Sequence, residues 1–181
     1  LEANFIKNGI KILTSSELIK AETNGKLVSA IIKNKKEELI LKADVILSAV
    51  GIKSNIENIG LEDVGIVTDK DKILVDDFYQ TNIPNHYAIG DITKGQALAH
   101  VASAEGILCV EKIAGINVEP LDYGNIPGCT YSYPEIASVG LTETQAKDQG
   151  FQIKVGKFPF TASGKAQASG SSEGFVKVIF D

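Results

Sequence analysis

Two apolar runs, each closed by a glycine, stand out in the pattern of hydrophobic and polar positions. The first, Asp44-Val45-Ile46-Leu47-Ser48-Ala49-Val50-Gly51, is nearly continuous in apolar residues and predicts a strand buried on both faces. The second, Tyr87-Ala88-Ile89-Gly90-Asp91, predicts a short apolar strand that stops at Gly-Asp, with a helix to follow over roughly Leu98 to Ala114. A carboxylate is thereby expected at the carboxyl end of a strand, where open α/β sheets hold ligands. On the helix, Ala102, Gly106, Cys109 and Val110 are expected to face the sheet, and Gly115 with Pro120 ends it.

The flanking pattern is of shorter range. Residues 1 to 8 predict an amphipathic helix stopped by Asn8-Gly9. Three short antiparallel strands are expected over residues 10–13, 26–33 and 38–41, joined through polar turns that include 34–37. Residues 55–65 predict a linker with a helical turn, and Asp69-Lys70-Asp71-Lys72 a hairpin turn whose charges are solvated. From about Tyr123 the composition shifts toward Tyr, Pro and Gly. There the pattern predicts a strand over 131–139 broken by Pro134, a helix capped by the Thr142-x-x-Gln145 box and ending at Gly150, a strand over 153–160, a Ser/Gly/Ala-rich excursion over 161–174 and a strand over 175–180.

Gly90 and Asp91 are the first candidates for chemistry. Without a side chain, Gly90 lets a ligand come close, and an ionised Asp91 accepts hydrogen bonds from hydroxyls while repelling bare phosphate, which suits a polyol or ribose. At Ala97-Leu98-Ala99-His100 the unpaired amides and positive dipole end of the helix are expected to face the same crevice and to stabilise developing negative charge. Gly51 is a second candidate contact, with a simple turn glycine as its alternative. His86 reads as a solvated loop residue. Histidine is the usual proton shuttle near neutral pH, which draws attention to His100.

Composition narrows the classes. With 181 residues and a net charge of −5 the chain has no basic footprint for nucleic acid or anionic membrane. No apolar run approaches the roughly 18 residues that span a bilayer. A cytoplasmic or matrix-like setting is the default expectation. Leu1 falls inside a predicted helix and the sequence contains no Met, so a piece of a longer polypeptide is expected. Cys109 and Cys129 stand in no metal or redox spacing, and both are expected to be buried thiols acting as small hydrophobes. The aspartates of 69–72 lack the glycine and glutamate of a calcium loop, and no metal site is expected.

The segment from Thr81 through Tyr87-Ala88-Ile89-Gly90-Asp91 to Leu98-Ala99-His100 resembles the second flavin-binding motif of the pyridine nucleotide-disulfide oxidoreductases. Thr130-Tyr131-Ser132-Tyr133-Pro134-Glu135 through Gly140-Leu141-Thr142-Glu143, and Phe158-Pro159-Phe160-Thr161-Ala162-Ser163-Gly164-Lys165-Ala166, resemble the interface-domain signatures of the same family. Phe158-Pro159-Phe160 with Gly164-Lys165-Ala166 and Glu173-Gly174-Phe175 is most similar to its dihydrolipoamide dehydrogenase branch. The resemblance implies an α/β plus α+β fold, part of a two-dinucleotide-binding-domain FAD/NAD architecture with the start of an α+β dimerisation domain. It divides the chain into the end of an NAD-binding domain (1–54), the end of an FAD-binding or central domain (55–121) and the start of an interface domain (122–181).

By the same resemblance, Asp91 binds the ribityl chain of FAD and Gly90 stands beside it. Ala97, Leu98, Ala99 and His100 support the pyrimidine edge of the flavin, His100 through its main chain, and Gly51 lies beside the NAD. Three departures from the family pattern are visible: Ile52-Lys53-Ser54-Asn55 replaces an Arg-x-Pro-Asn, Tyr133 a frequent His, and Lys165 an Arg whose bidentate contact is lost. The resemblance further implies a homodimer through about 123–181 and a lipoyl-bearing protein of a 2-oxoacid dehydrogenase or glycine cleavage complex as partner. The chain has no C-x4-C pair, no G-x-G-x-x-G and no His-Pro base, so no catalytic residue is expected in it and it is expected to be inactive alone. A mercuric or glutathione reductase type of parent, or a non-catalytic dimerisation module, are the alternatives.

Overall fold

The computed structural model describes residues 1–35 and 37–181; Lys36, in the predicted turn at 34–37, lies outside the described residues. The chain forms two units, Leu1–Gly51 and Ile52–Asp181.

In the first unit, helix α1 (Glu2–Lys7) ends as its Asn-Gly pair predicts. Gly9 takes a φ of 81°, its amide donates to the Ile6 carbonyl at 3.0 Å, and the Ile10 amide donates to the Phe5 carbonyl at 2.9 Å, which together make a Schellman cap. Strands β1 (Glu17–Thr23), β2 (Val28–Lys33) and β3 (Glu38–Ala43) form an antiparallel sheet in the order β1-β2-β3. The three-stranded meander is as expected, but its first strand is not residues 10–13. That run is followed by a turn at Ser15, where φ is 53°, and the strand forms instead in Glu-Leu-Ile-Lys-Ala-Glu-Thr. All seven of its residues are exposed, and the apolar alternation that marks a half-buried strand is weak in it. Leu18, Val28, Ala30, Ile32, Leu41 and Ala43 line one apolar side, and Ile46 reaches it from the following segment.

The strand predicted for 44–51 is absent. Val45, Leu47 and Val50 are 77%, 88% and 96% exposed. A central strand exists only through its ladder partners, and among the described residues none pairs with this run.

The second unit begins with turns through 57–65, close to the predicted linker, and the hairpin β4 (Thr68–Asp69) and β5 (Lys72–Ile73) forms at the predicted place. Ile56, Leu61, Ile73 and Ala88 make its core, with Ile66, Val75 and Ile92 packed on them. The 87–89 strand is reduced to a bridge between Gln80 and Tyr87 and one further bond, Ala88 N–H to the Tyr79 carbonyl at 3.0 Å. Helix α2 (Ala99–Ile113) follows as predicted. Its most buried stripe is Val101, Glu105 and Cys109, one residue round from the expected face, and Val110 is exposed.

Beyond α2 the expected 131–139 strand is reduced to β7 (Ile136–Ser138), which pairs antiparallel with β6 (Gly128–Thr130), a strand not expected there, about a turn that holds Pro134. Proline gives a ladder no N–H, so the break becomes a hairpin. Cys129 on β6 is exposed, contrary to expectation, while Cys109 is buried. Helix α3 (Glu143–Asp148) carries the complete capping box: Thr142 Oγ1 accepts from the Gln145 amide and the Gln145 side chain accepts from the Thr142 amide at 3.0 Å. Strands β8 (Lys154–Pro159) and β9 (Phe175–Phe180) pair antiparallel, and the excursion between them contains the short helix α4 (Gly164–Ala168), N-capped by Ser163.

Candidate functional site

Gly90, Asp91 and Ile92 form a single 3-10 turn between the 87–89 segment and α2. The turn arises because Gly90 takes a φ of 75°, a left-handed conformation costly for any residue with a Cβ, and because space is short: a Cβ there would stand 3.3 Å from that of Ala102. One turn along the helix, a Cβ on Gly106 would stand 3.1 Å from Cδ1 of Ile89. The predicted close approach of a small-residue helix face is therefore real at Ala102 and Gly106.

Three main-chain groups of this turn, the Gly90 amide and the Gly90 and Asp91 carbonyls, are held by partners. Gly90 N–H donates to Oε2 of Glu105 at 2.6 Å. The Gly90 carbonyl accepts from both the amide and the hydroxyl of Thr93 at 2.9 Å. The Asp91 carbonyl accepts from Ser54 Oγ at 2.8 Å and from Lys72 Nζ at 2.5 Å. Ser54 is fixed in turn by Asp71, whose carboxylate accepts its amide at 2.8 Å, and that bond first, with the nearby Lys72 and Lys53 charges, holds the Asp71 carboxyl below its ordinary value. Asp71 and Lys72 thus tie residue 54 to the turn and are not merely the solvated charges expected. The Asp91 carboxylate is exposed and has no hydrogen bond or ion pair with the described residues.

Behind the turn lies a polar cluster in which Glu105 and Tyr79 are buried and Tyr123 reaches them from a partly exposed position. Glu105 is 1% exposed; its Oε1 accepts from the Tyr123 hydroxyl at 2.6 Å, and the Tyr123 and Tyr79 hydroxyls are 3.2 Å apart. Burial first, then the bond to Glu105, pushes the Tyr123 phenol well above its ordinary range, and burial raises Tyr79. Neither Glu105, Tyr123, Tyr79, Ser54 nor Lys72 is singled out by the sequence pattern. A signal for Glu105 exists: it stands at helical spacing between Val101 and Cys109, a lone carboxylate on an apolar stripe.

No side chain caps the start of α2 at Leu98, so the first amides, those of Ala99 and His100 among them, have no intrahelical acceptor. The His100 ring turns to the 121–127 segment, where Nε2–H donates to the Pro127 carbonyl at 3.2 Å beside a cleft of about 280 Å³. Gly51, in the other unit, has a φ of 112° and no atom within 4 Å of a would-be Cβ. Gly90, Asp91 and the start of α2 are therefore neighbours within one unit, and Gly51 belongs to the other. An acceptor-only side chain on an immobilised turn fits a polyhydroxyl chain such as ribityl, and uncapped amides fit an anionic ring edge. Among the described residues no group of His, Cys, Asp and Glu could hold a metal ion, and no helix is long and apolar enough to cross a membrane.

Known proteins match the chain over nearly its whole length. Residues 1–106 match the pyridine nucleotide-disulphide oxidoreductase family and residues 126–181 its dimerisation domain. The chain is 48% identical over 97% of its length to a dihydrolipoyl dehydrogenase of Rhizobium etli, covering 37% of that protein, and 45% identical over 100% of its length to one of Bacillus subtilis, covering 39%. It spans about two fifths of the length of these relatives. Among solved structures, LpdA from Mycobacterium tuberculosis superposes with a TM-score of 0.88 at 24% identity, over 98% of this chain and 38% of the other. The HOCl-induced flavoprotein disulfide reductase RclA from Escherichia coli superposes with a TM-score of 0.87 at 23% identity, over 99% of this chain and 41% of the other. The fold class is the expected one, part of an FAD/NAD architecture continued by dimerisation-domain sequence. With family models covering both stretches, the chain belongs to the pyridine nucleotide-disulphide oxidoreductases.

Proposed function

We propose that the chain supplies the second flavin-binding segment of a dihydrolipoyl dehydrogenase, an enzyme that oxidises a dihydrolipoyl thiol pair and passes the electrons through FAD to NAD. The observation that carries this reading is the Asp91 carboxylate, exposed and without a partner on a turn whose Gly90 amide and Gly90 and Asp91 carbonyls are engaged. Asp91 accepts hydrogen bonds from the ribityl hydroxyls, and Gly90 keeps the approach open. Ala97 and Leu98 shape the entry to α2, and the first-turn amides of Ala99 and His100 meet the pyrimidine edge, where negative charge gathers on reduction. Bound FAD supplies a two-electron carrier between thiols and nicotinamide; this chain's part is to hold and orient it. Gly51 lines the nicotinamide side.

In this reading residues 1–54 complete the NAD-binding domain, 55–121 the FAD-binding domain, and 122–181 begin the dimerisation domain. The paired β8 and β9 present exposed Phe158, Phe175, Val176, Val178 and Phe180, apolar surface consistent with a homodimer. The exposed 44–51 run joins the NAD-domain sheet of the whole protein. The whole protein's partner is a lipoyl-bearing protein of a 2-oxoacid dehydrogenase or glycine cleavage complex. Purifying the intact protein that contains this chain tests the reading. It should carry FAD and reduce NAD with dihydrolipoamide. A colourless protein, or one inert toward dihydrolipoamide but active on another disulfide substrate, contradicts it.

A further inference from the structure

The Asp91 turn is oriented by a carboxylate that no ligand needs to touch. Glu105 is 1% exposed, and a buried carboxylate persists only when its oxygens are paired. Its two oxygens have one donor each, and the donors come from different parts of the chain: Gly90 N–H at 2.6 Å, in the turn, and the Tyr123 hydroxyl at 2.6 Å, beyond the end of α2. From Tyr123 the cluster continues to the Tyr79 hydroxyl at 3.2 Å, and the Tyr79 carbonyl accepts the Ala88 amide at 3.0 Å. The cluster therefore returns to the segment it started from and grips it at two amides, Ala88 and Gly90. The Tyr123 ring is also pressed on the loop that joins the turn to α2, since a Cβ on Gly95 would stand 3.0 Å from its Cε1.

Resting on the flavin reading above, we propose that Glu105 is the positioning residue of this half of the flavin site, and that Tyr123 locks it. Glu105 fixes the direction of the Gly90 amide, and so the direction in which Asp91 leaves the main chain. Tyr123 holds the carboxylate in place from the segment that leads into the dimerisation-domain match, which starts at residue 126. Seating of the 121–127 segment and competence of the Asp91 turn thus become one event.

The test uses the intact flavoprotein that contains this chain, with FAD affinity of the apoprotein and the visible circular dichroism of bound flavin as readouts. Tyr123→Phe leaves one buried carboxylate oxygen without a donor and should weaken FAD binding about tenfold. Glu105→Leu orphans the Gly90 amide as well and should weaken it about a hundredfold, with an altered visible dichroism band. Glu105→Gln should stay within about threefold of the parent, because the amide keeps one acceptor for Gly90 and offers a donor to Tyr123. If Glu105→Leu does not fold, Tyr123→Phe and Glu105→Gln still decide. Unchanged FAD affinity and dichroism in folded Tyr123→Phe, even with a lowered melting temperature, would overturn the proposal, as would a Glu105→Gln protein as defective as Glu105→Leu. Asp91→Ala separates the two readings: if it alone weakens FAD, only the positioning role fails, whereas parental FAD affinity in Asp91→Ala removes the flavin reading beneath it.

Discussion

Residues 45–50 and residues 87–89 are alike in sequence, apolar runs stopped by a glycine, and they end in opposite states. Residues 45–50 lie outside any ladder, with Leu47 and Val50 almost wholly exposed. Ala88 is buried in a core with Ile56, Leu61 and Ile73, its amide is bonded to Tyr79, and Ile89 meets Gly106 of α2. Hydrophobicity is the same cause in both; what differs is supply. The second run finds its covering helix and its partner strand within the next or previous 30 or so residues, a spacing typical of a supersecondary unit. The first finds none among the described residues. An apolar run is thus a demand for partners, and the fold shows where that demand is met.

The sharpest way to break this comparison is to place a charge in each run. Ala88→Asp should cost the Ile52–Asp181 unit roughly 3–5 kcal/mol, because an unpaired carboxylate enters its core. All five tyrosines of the sequence lie in that unit, so urea denaturation followed by tyrosine fluorescence reports on it directly. The terminal glycines give the next largest contrast. Gly90→Ala meets both a left-handed φ of 75° and the Ala102 methyl at 3.3 Å, and should cost about 2 kcal/mol. Gly51→Ala has open space and an unpaired backbone free to relax, and should cost under about 0.5 kcal/mol by far-UV circular dichroism melts of the chain.

Leu47→Asp sharpens the same point from the other side. In the chain alone it should shift stability by less than about 0.5 kcal/mol, since the residue is already in water. In the intact protein, where the run joins a sheet on the proposed reading, the same substitution should be severely destabilising. Equal, small effects in both would show that 44–51 is never covered.

The smallest expected effect is one of pH. The Ser54 amide lowers the Asp71 carboxyl, so the stability Asp71 lends is fully present above the ordinary carboxylate range and is lost as pH falls through the depressed folded value. Acid titration of the Ile52–Asp181 unit should therefore show a loss below about pH 4 that Asp71→Asn diminishes, the remainder belonging to Glu57 and Glu143, which Lys53 and Lys177 also hold low. A loss undiminished in Asp71→Asn would contradict the Asp71 contribution.

Local signals were the ones the sequence made visible. The Asn8-Gly9 stop, the Thr142-x-x-Gln145 box, the 69–72 hairpin turn and the span of α2 each depend on residues within a few positions of one another, and each appears where the pattern places it. Glu17–Thr23 escaped because an exposed edge strand needs no apolar alternation. Asp71 and Lys72 look like turn charges until Ser54 and Asp91, distant in sequence, are brought beside them. The Gly90-Asp91 pair was legible as a ligand-facing turn, since a glycine and an acceptor stand together at the end of an apolar run. What holds that turn was not, because Glu105, Tyr123 and Tyr79 acquire their roles only through contacts across 18 and 44 positions.

The most direct measurement is the dissociation constant of FAD for the intact apoprotein with Asp91 changed to alanine, set against the parent. With the ribityl acceptor removed and the turn otherwise intact, affinity should fall at least about a hundredfold while the melting temperature of the apoprotein stays within a degree or two of the parent's. FAD bound equally tightly by both would contradict the account, for it would mean that the one unpartnered carboxylate on this held turn faces something other than the flavin.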